Sequence, residues 1–189
     1  MARTNESRQR ILDAAERVFA RKGYFASSTD EIAREADVAK GTLYYNFKSK
    51  GEIFETLVAE GLNHLNREIE SALSNEVSVK SHLSDLVQIH VRFATDFPDF
   101  TRILLSEMSS GLDDGVQVRV EAIRGRYIQR LASLLAEAQG MGAVMEGDPL
   151  FLAEVLAGLL ISVGGGTMPM TPKRTQILSE FILEGLARS

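Results

Sequence analysis

Cysteine is absent from this 189-residue sequence, and only three histidines and four prolines occur in it. Without cysteine there can be no disulfide framework, no thiolate zinc site and no cysteine nucleophile. His64, His82 and His90 lie too far apart in the chain to suggest a metal cluster, so no metal is expected. The longest strictly apolar run, Val155–Ile161, falls far short of the roughly 20 residues that cross a bilayer. Met1–Arg10 is polar and no apolar segment follows it, unlike a signal peptide. A soluble, cytoplasmic chain with no membrane partner is the expectation. Catalytic signatures are missing as well: there is no P-loop, dinucleotide-binding glycine fingerprint, nucleophile elbow or His-Glu-x-x-His. Gly164-Gly165-Gly166 has no lysine beside it and no strand before it, so it reads as a loop. The carboxylates scatter over helix surfaces instead of pairing. Neither a catalytic residue nor a cofactor is expected.

What is present is ordinary for a globular protein, with 44% hydrophobic and 25% charged residues. The charge is distributed unevenly. Residues 1–50 carry ten basic and seven acidic side chains, while the remainder is acidic by eight charges, for a net charge of −5. A mildly basic head on an acidic body hints at a polyanionic partner for the head.

Apolar residues recur at helical spacing, as in Ile11, Ala15, Val18 and Phe19, and again in Ile53, Leu57, Leu65, Ile69 and Leu73. No segment sustains the two-residue alternation of a strand. Asp148-Pro149 and Thr171-Pro172 each set a capping side chain before a proline at the first helical position, and Phe97-Pro98 opens a third helix. Ser49 and Glu52 have the spacing of a capping box. Stops fall at Gly23, Gly111/Gly115, Gly140/Gly142 and Gly164–Gly166. The pattern predicts an all-α fold of nine helices, over 6–22, 29–36, 40–46, 49–74, 79–95, 97–110, 116–139, 149–163 and 172–187.

Residues 29–48 carry the chemistry. Helices 29–36 and 40–46 are joined only by Asp37-Val38-Ala39, which forces a steep crossing over a small core of Ile32, Ala33, Val38 and Leu43. That is helix-turn-helix geometry, whose second helix enters a DNA major groove. Its outer side would show Lys40, Thr42, Tyr44, Tyr45 and Asn46, with Lys48 and Lys50 at the start of the next helix. Lysine neutralises phosphate, threonine and tyrosine hydroxyls suit phosphate oxygens, and asparagine can read adenine.

These residues resemble the TetR family of bacterial transcriptional repressors over about residues 7–57. The likeness rests on Ile11-Leu12-Asp13-Ala14-Ala15, Phe19, Lys22-Gly23-Tyr24, Ser28-Thr29, Ile32-Ala33, Ala36-Asp37-Val38 and the run from Lys40 to Lys50. It implies a helix-turn-helix head at 1–50 and an effector-binding and dimerisation body at 51–189. It also implies that Ser28, Thr29, Lys40, Gly41, Thr42, Tyr44, Tyr45, Asn46, Lys48 and Lys50 face DNA, with Lys50 anchoring a phosphate. Two departures stand out. Asp37 occupies a turn position where the family commonly has glycine, and Asp tolerates a left-handed backbone. Ala39 stands where serine often caps the recognition helix.

The body reads by pattern alone. Between Leu150 and Val163 only Glu154 and Ser162 are polar, so this helix should be covered on one face by its own body and on the other by a second chain. With helix 172–187 it would form a homodimer interface through Phe151, Val155, Leu159, Ile177 and Phe181, in agreement with the resemblance. Leu65, His90, Phe100, Met108 and Tyr127 could line a pocket for a small, largely apolar effector, although an inward His or Tyr is more often a satisfied core residue. The partners expected are a palindromic double-stranded DNA operator, a second copy of the chain and that effector. An activator-type or ligand-independent regulator shares these features, and a helical scaffold without DNA binding would leave residues 40–50 without a role.

Overall fold

The computed structural model describes residues 2–73, 79–107, 112–164 and 171–186. Among them are nine α-helices and no strand: α1 Ala2–Ala26, α2 Thr29–Glu35, α3 Lys40–Asn46, α4 Lys50–Leu73, α5 Val79–Asp96, α6 Pro98–Glu107, α7 Asp114–Gly140, α8 Pro149–Gly164 and α9 Pro172–Leu186. None of the described helices is long and apolar enough to cross a membrane. The start signals act as expected. Asp148 Oδ1 accepts the Leu150 N–H at 2.9 Å, and Thr171 Oγ1 accepts that of Arg174 at 3.4 Å. Ser49 Oγ accepts from the Glu52 amide at 3.1 Å, but the Glu52 carboxylate reaches one residue further back than a capping box requires, to the Lys48 N–H at 2.7 Å. Gly23 is the stop that the sequence suggested. Helical hydrogen bonding continues to Ala26, yet Gly23 itself has φ 76° and no atom near a would-be Cβ, so the backbone conformation alone requires glycine there.

The chain divides into two compact units, Met1–Gly61 with Asp99–Ile123, and Leu62–Pro98 with Arg124–Ser189. The head expected at 1–50 is therefore part of a larger unit that continues through the start of α4 and takes in α6 and the start of α7. Its core gathers Ile11, Leu12, Phe19, Ile32, Leu43, Phe47, Ile53 and Phe54, all essentially inaccessible. Phe54 meets Phe19 and Tyr24 edge-on at 5.3 and 5.1 Å between ring centres. α6 joins this unit because α4 offers it a glycine: a Cβ on Gly61 would overlap the Phe100 ring, itself buried. Alanine in a helix is ordinarily better than glycine by about 1 kcal/mol. Gly61→Ala should nevertheless destabilise the protein by about 1–3 kcal/mol through overpacking. A urea midpoint at or above wild type would show that Phe100 can swing clear.

In the second unit α5 packs against α8 and α9. Its core includes Leu65, Ile69, Leu86, Val87, His90, Tyr127, Leu131, Leu135, Leu156, Leu160, Ile182 and Leu186. The α7–α8 loop is tied to the end of α9 by the Met145 N–H donating to the Leu186 carbonyl at 2.8 Å.

Candidate nucleic-acid interface

The helix-turn-helix is held by groups of several kinds. Ser28 caps α2 in a complete capping box with Glu31, whose carboxylate accepts the Ser28 N–H at 3.1 Å. Glu31 also pairs with Lys22, and Glu35 accepts from both Arg17 and Arg21 at 2.9 Å. These cations hold both carboxyls below the usual carboxylate range, the hydrogen bond from Lys22 leading for Glu31 and that from Arg17 for Glu35. The turn is clamped from α1, where Arg10 donates to the carbonyls of Ala36 and Asp37 at 2.6 and 2.8 Å. Asp37 takes the left-handed conformation, φ 50°, that glycine would adopt more cheaply. α3 then begins at Ala39 with no side-chain cap, as its sequence requires.

Leu43 and Phe47 are buried and anchor α3, which leaves a polar outer face. Tyr45 is the most exposed of its side chains at 79%, and Tyr44 is 45% exposed. Thr29 and Tyr44 join hydroxyl to hydroxyl at 3.0 Å, linking the first turn of α2 to α3. Lys40 lies in the open, 2.7 Å from Asp30, and this hydrogen bond raises its pKa, so it stays charged. Gly41 presents bare backbone with open space above it. Ser28 and Lys48 are exposed, and Thr42 is half-buried. This surface brings together eight of the ten residues expected at DNA.

The other two are engaged elsewhere. Asn46 folds back to donate from Nδ2 to the Thr42 carbonyl at 2.8 Å, so reading a base would require it to rotate away. Lys50 is turned inward, which corrects its expected role as a phosphate anchor. Its ammonium donates to the carbonyls of Tyr24, Ser27 and Phe25 at 2.7, 3.0 and 3.5 Å and lies 4.2 Å from the centre of the Tyr24 ring. The cause is geometric: carbonyls converge where α1 ends, and a cation is favoured at the C-terminal end of a helix.

In the second unit, four of the five expected interface side chains point outward: Phe151, Val155, Ile177 and Phe181 are all more than half exposed, while Leu159 is half-buried. The five candidate effector residues are distributed as follows. Met108 lies outside the described residues, and Phe100 is buried in the other unit against Gly61. Leu65 is a core residue. His90 and Tyr127 satisfy each other. His90 Nδ1–H donates to the Leu86 carbonyl at 2.7 Å, which leaves Nε2 to accept the Tyr127 hydroxyl. Burial drives the His90 pKa down to about 4, partly opposed by the Leu86 carbonyl, and raises that of Tyr127. In this arrangement the donors of both rings are used, and the tyrosine oxygen keeps its lone pairs.

The family model of bacterial regulatory proteins, tetR family, matches residues 11–57. A solved Clostridium perfringens protein described as a fatty acid metabolism regulator is 31% identical, with a TM-score of 0.81 over 95% of this chain and 100% of its own. The chain belongs to the TetR family of bacterial transcriptional regulators. It is a regulator and not an enzyme. The fatty acid metabolism regulator protein of Bacillus subtilis is 27% identical over 177 residues, covering 92% of this chain and 90% of that protein. FadR from Bacillus subtilis, solved in complex with stearoyl-CoA, shares the fold at a TM-score of 0.78 and 23% identity, over 93% of this chain and 95% of its own.

For a TetR-family head, three supports went unread in the sequence. The box Ser28-Thr29-Asp30-Glu31 was visible as a Ser-x-x-Glu spacing. Arg10, 26 residues before the carbonyl it clamps, and Tyr24, 89 residues before Asp113, had no local signal to find.

Proposed function

We propose that this chain is a homodimeric repressor that binds a palindromic operator through α3 and releases it on binding a fatty acyl thioester of coenzyme A. The observation that carries the effector class is where the similarity lies. The family model ends at residue 57, but the likeness to fatty acid metabolism regulators runs on through the body. The body is the part that distinguishes one regulator's ligand from another's. An acyl thioester meets the expectation of an apolar effector in its acyl chain alone; its coenzyme A part is large and anionic and was not expected. Release requires the ligand to prefer the state that does not bind DNA, since equal affinity for both would shift nothing.

A mobility-shift titration on DNA from upstream of the gene tests this. Stearoyl-CoA should release the DNA, whereas free coenzyme A and free stearate should not; a shorter branched thioester measures the preference for chain length. If no thioester changes operator affinity, the effector class is wrong while DNA binding stands. In the same assay Tyr45→Ala should weaken operator binding about tenfold, the scale of one good contact to DNA. Its exposure means the fold should not suffer. An unchanged operator affinity would place α3 outside the groove.

A further inference from the structure

We propose that the start of α7 is part of the DNA-binding machinery, with Asp113 as a positioning residue that sets the recognition helix through Tyr24 and Lys50. Three contacts fasten this segment to the head, all within one compact unit. The Tyr24 hydroxyl donates to Asp113 Oδ2 at 3.1 Å. Gly51, in the first turn of α4, leaves room for Val116, and a Cβ there would lie 2.6 Å from Val116 Cγ2. Arg119 pairs with the Glu55 carboxylate at 2.8 Å, and this pairing raises the Arg119 pKa. Residues 113, 116 and 119 recur every third position, so one stripe of the α7 start makes all three contacts. Leu112 and Val116 are buried beneath it.

From Asp113 a continuous series of contacts leads to α3. The Tyr24 ring lies under the Lys50 ammonium, which gathers the carbonyls of residues 24, 25 and 27. Ser27, itself buried, donates from Oγ to the Tyr24 carbonyl at 2.6 Å and tightens the same turn. The next residue is Ser28, the cap of α2, followed by Thr29, whose hydroxyl meets that of Tyr44. Lys50 is thus the hub of the series, which accounts for its being withdrawn from the DNA face. α7 continues unbroken from Asp114 to Gly140. Its chain therefore joins Asp113 covalently to the residues beyond Ile123, in addition to the connection through α4. The link to an effector rests on the acyl-thioester reading above; the positioning of α3 does not.

The test is a double-mutant cycle in the full-length protein, with Tyr24→Phe and Asp113→Ala made singly and together. Each substitution removes the hydrogen bond and adds no atom that could clash. Each single variant should lower operator affinity about fivefold, the scale of one hydrogen bond. The double variant should lose no more than either single, because the interaction is shared. The ratio of operator affinities without and with saturating stearoyl-CoA should shrink in all three. Operator affinities within twofold of wild type would overturn the proposal, as would single effects that multiply in the double variant. A lower thermal midpoint with an unchanged affinity of the folded fraction would make Asp113 merely structural, and would overturn it too. If the wild type ignores stearoyl-CoA, the effector reading fails by itself, and the operator cycle still decides the role of Asp113.

Discussion

Phe181→Glu should turn the protein into a monomer and remove specific operator binding together, with a loss of at least about a hundredfold toward the non-specific level. The side chain projects from α9 with 67% of its surface exposed. Ile177 on the same helix and Phe151 and Val155 on α8 are likewise large apolar groups outside the second unit's core. Monomeric soluble proteins rarely leave large apolar patches uncovered. On the homodimer reading proposed above, a second copy of the chain covers these side chains by a two-fold packing of two helices from each subunit. Placed at that contact, a carboxylate is desolvated without a partner. The variant's own core is untouched, because α8 buries Ala153, Leu156, Ala157 and Leu160, and α9 buries Ile182 and Leu186. Operator binding follows the dimer, since two recognition helices must meet major grooves about 34–36 Å apart, or a multiple of that. Sedimentation velocity at micromolar concentration checks the first half and a mobility shift the second. A wild type that sediments as a monomer, or a variant that remains a dimer, would disprove the interface.

These outward side chains also show what kind of information the sequence carried. The apolar surround of α8 predicted two covered faces without saying which residues belong to the chain's own core. The structure turns Leu156 and Leu160 inward and Phe151 and Val155 outward. When nearly every position is apolar, periodicity carries no phase, and only the neighbouring helices decide which side is core. α9 shows the same split: Ile177 and Phe181 face out while Ile182 and Leu186 face in. Helix limits were legible because caps, prolines and glycines act within a few residues. The direction of a long flexible side chain was not. Lys50 has the sequence context of a phosphate anchor, and its actual partners are carbonyls more than 20 residues earlier. The extent of the head was also hidden, since nothing near residues 99–123 refers to residue 24 or residue 51.

Acid should destabilise the protein by about 3 kcal/mol between pH 6.5 and pH 4 through His90 alone. Burial lowers its folded pKa from 6.5 to about 4, so the native state holds the imidazole neutral where the unfolded chain takes up a proton. Between those values the unfolded state binds more protons, and stability rises with pH. The contribution is complete above pH 6.5, shrinks as pH falls through the window and is gone below pH 4. Full burial removes the solvent screening that would discount an exposed group. Glu16 works in the opposite direction. Its carboxyl is raised, first by burial and then by Asp99 and Asp13, so protonation in acid favours the fold and cannot cause the loss. Free carboxyl groups titrate near pH 4 and free imidazole near 6.5, so the upper part of the window is the range of histidine. Replacing both partners, His90→Leu with Tyr127→Phe, should be close to neutral at pH 7, because neither polar group is left orphaned. The same double variant should lose the slope between pH 6.5 and 5. Tyr127→Phe alone strands Nε2 and should cost about 1–3 kcal/mol at pH 7. Urea unfolding at a series of pH values measures all three proteins. A wild type as stable at pH 5 as at pH 7 would mean that His90 accepts its proton without leaving the fold.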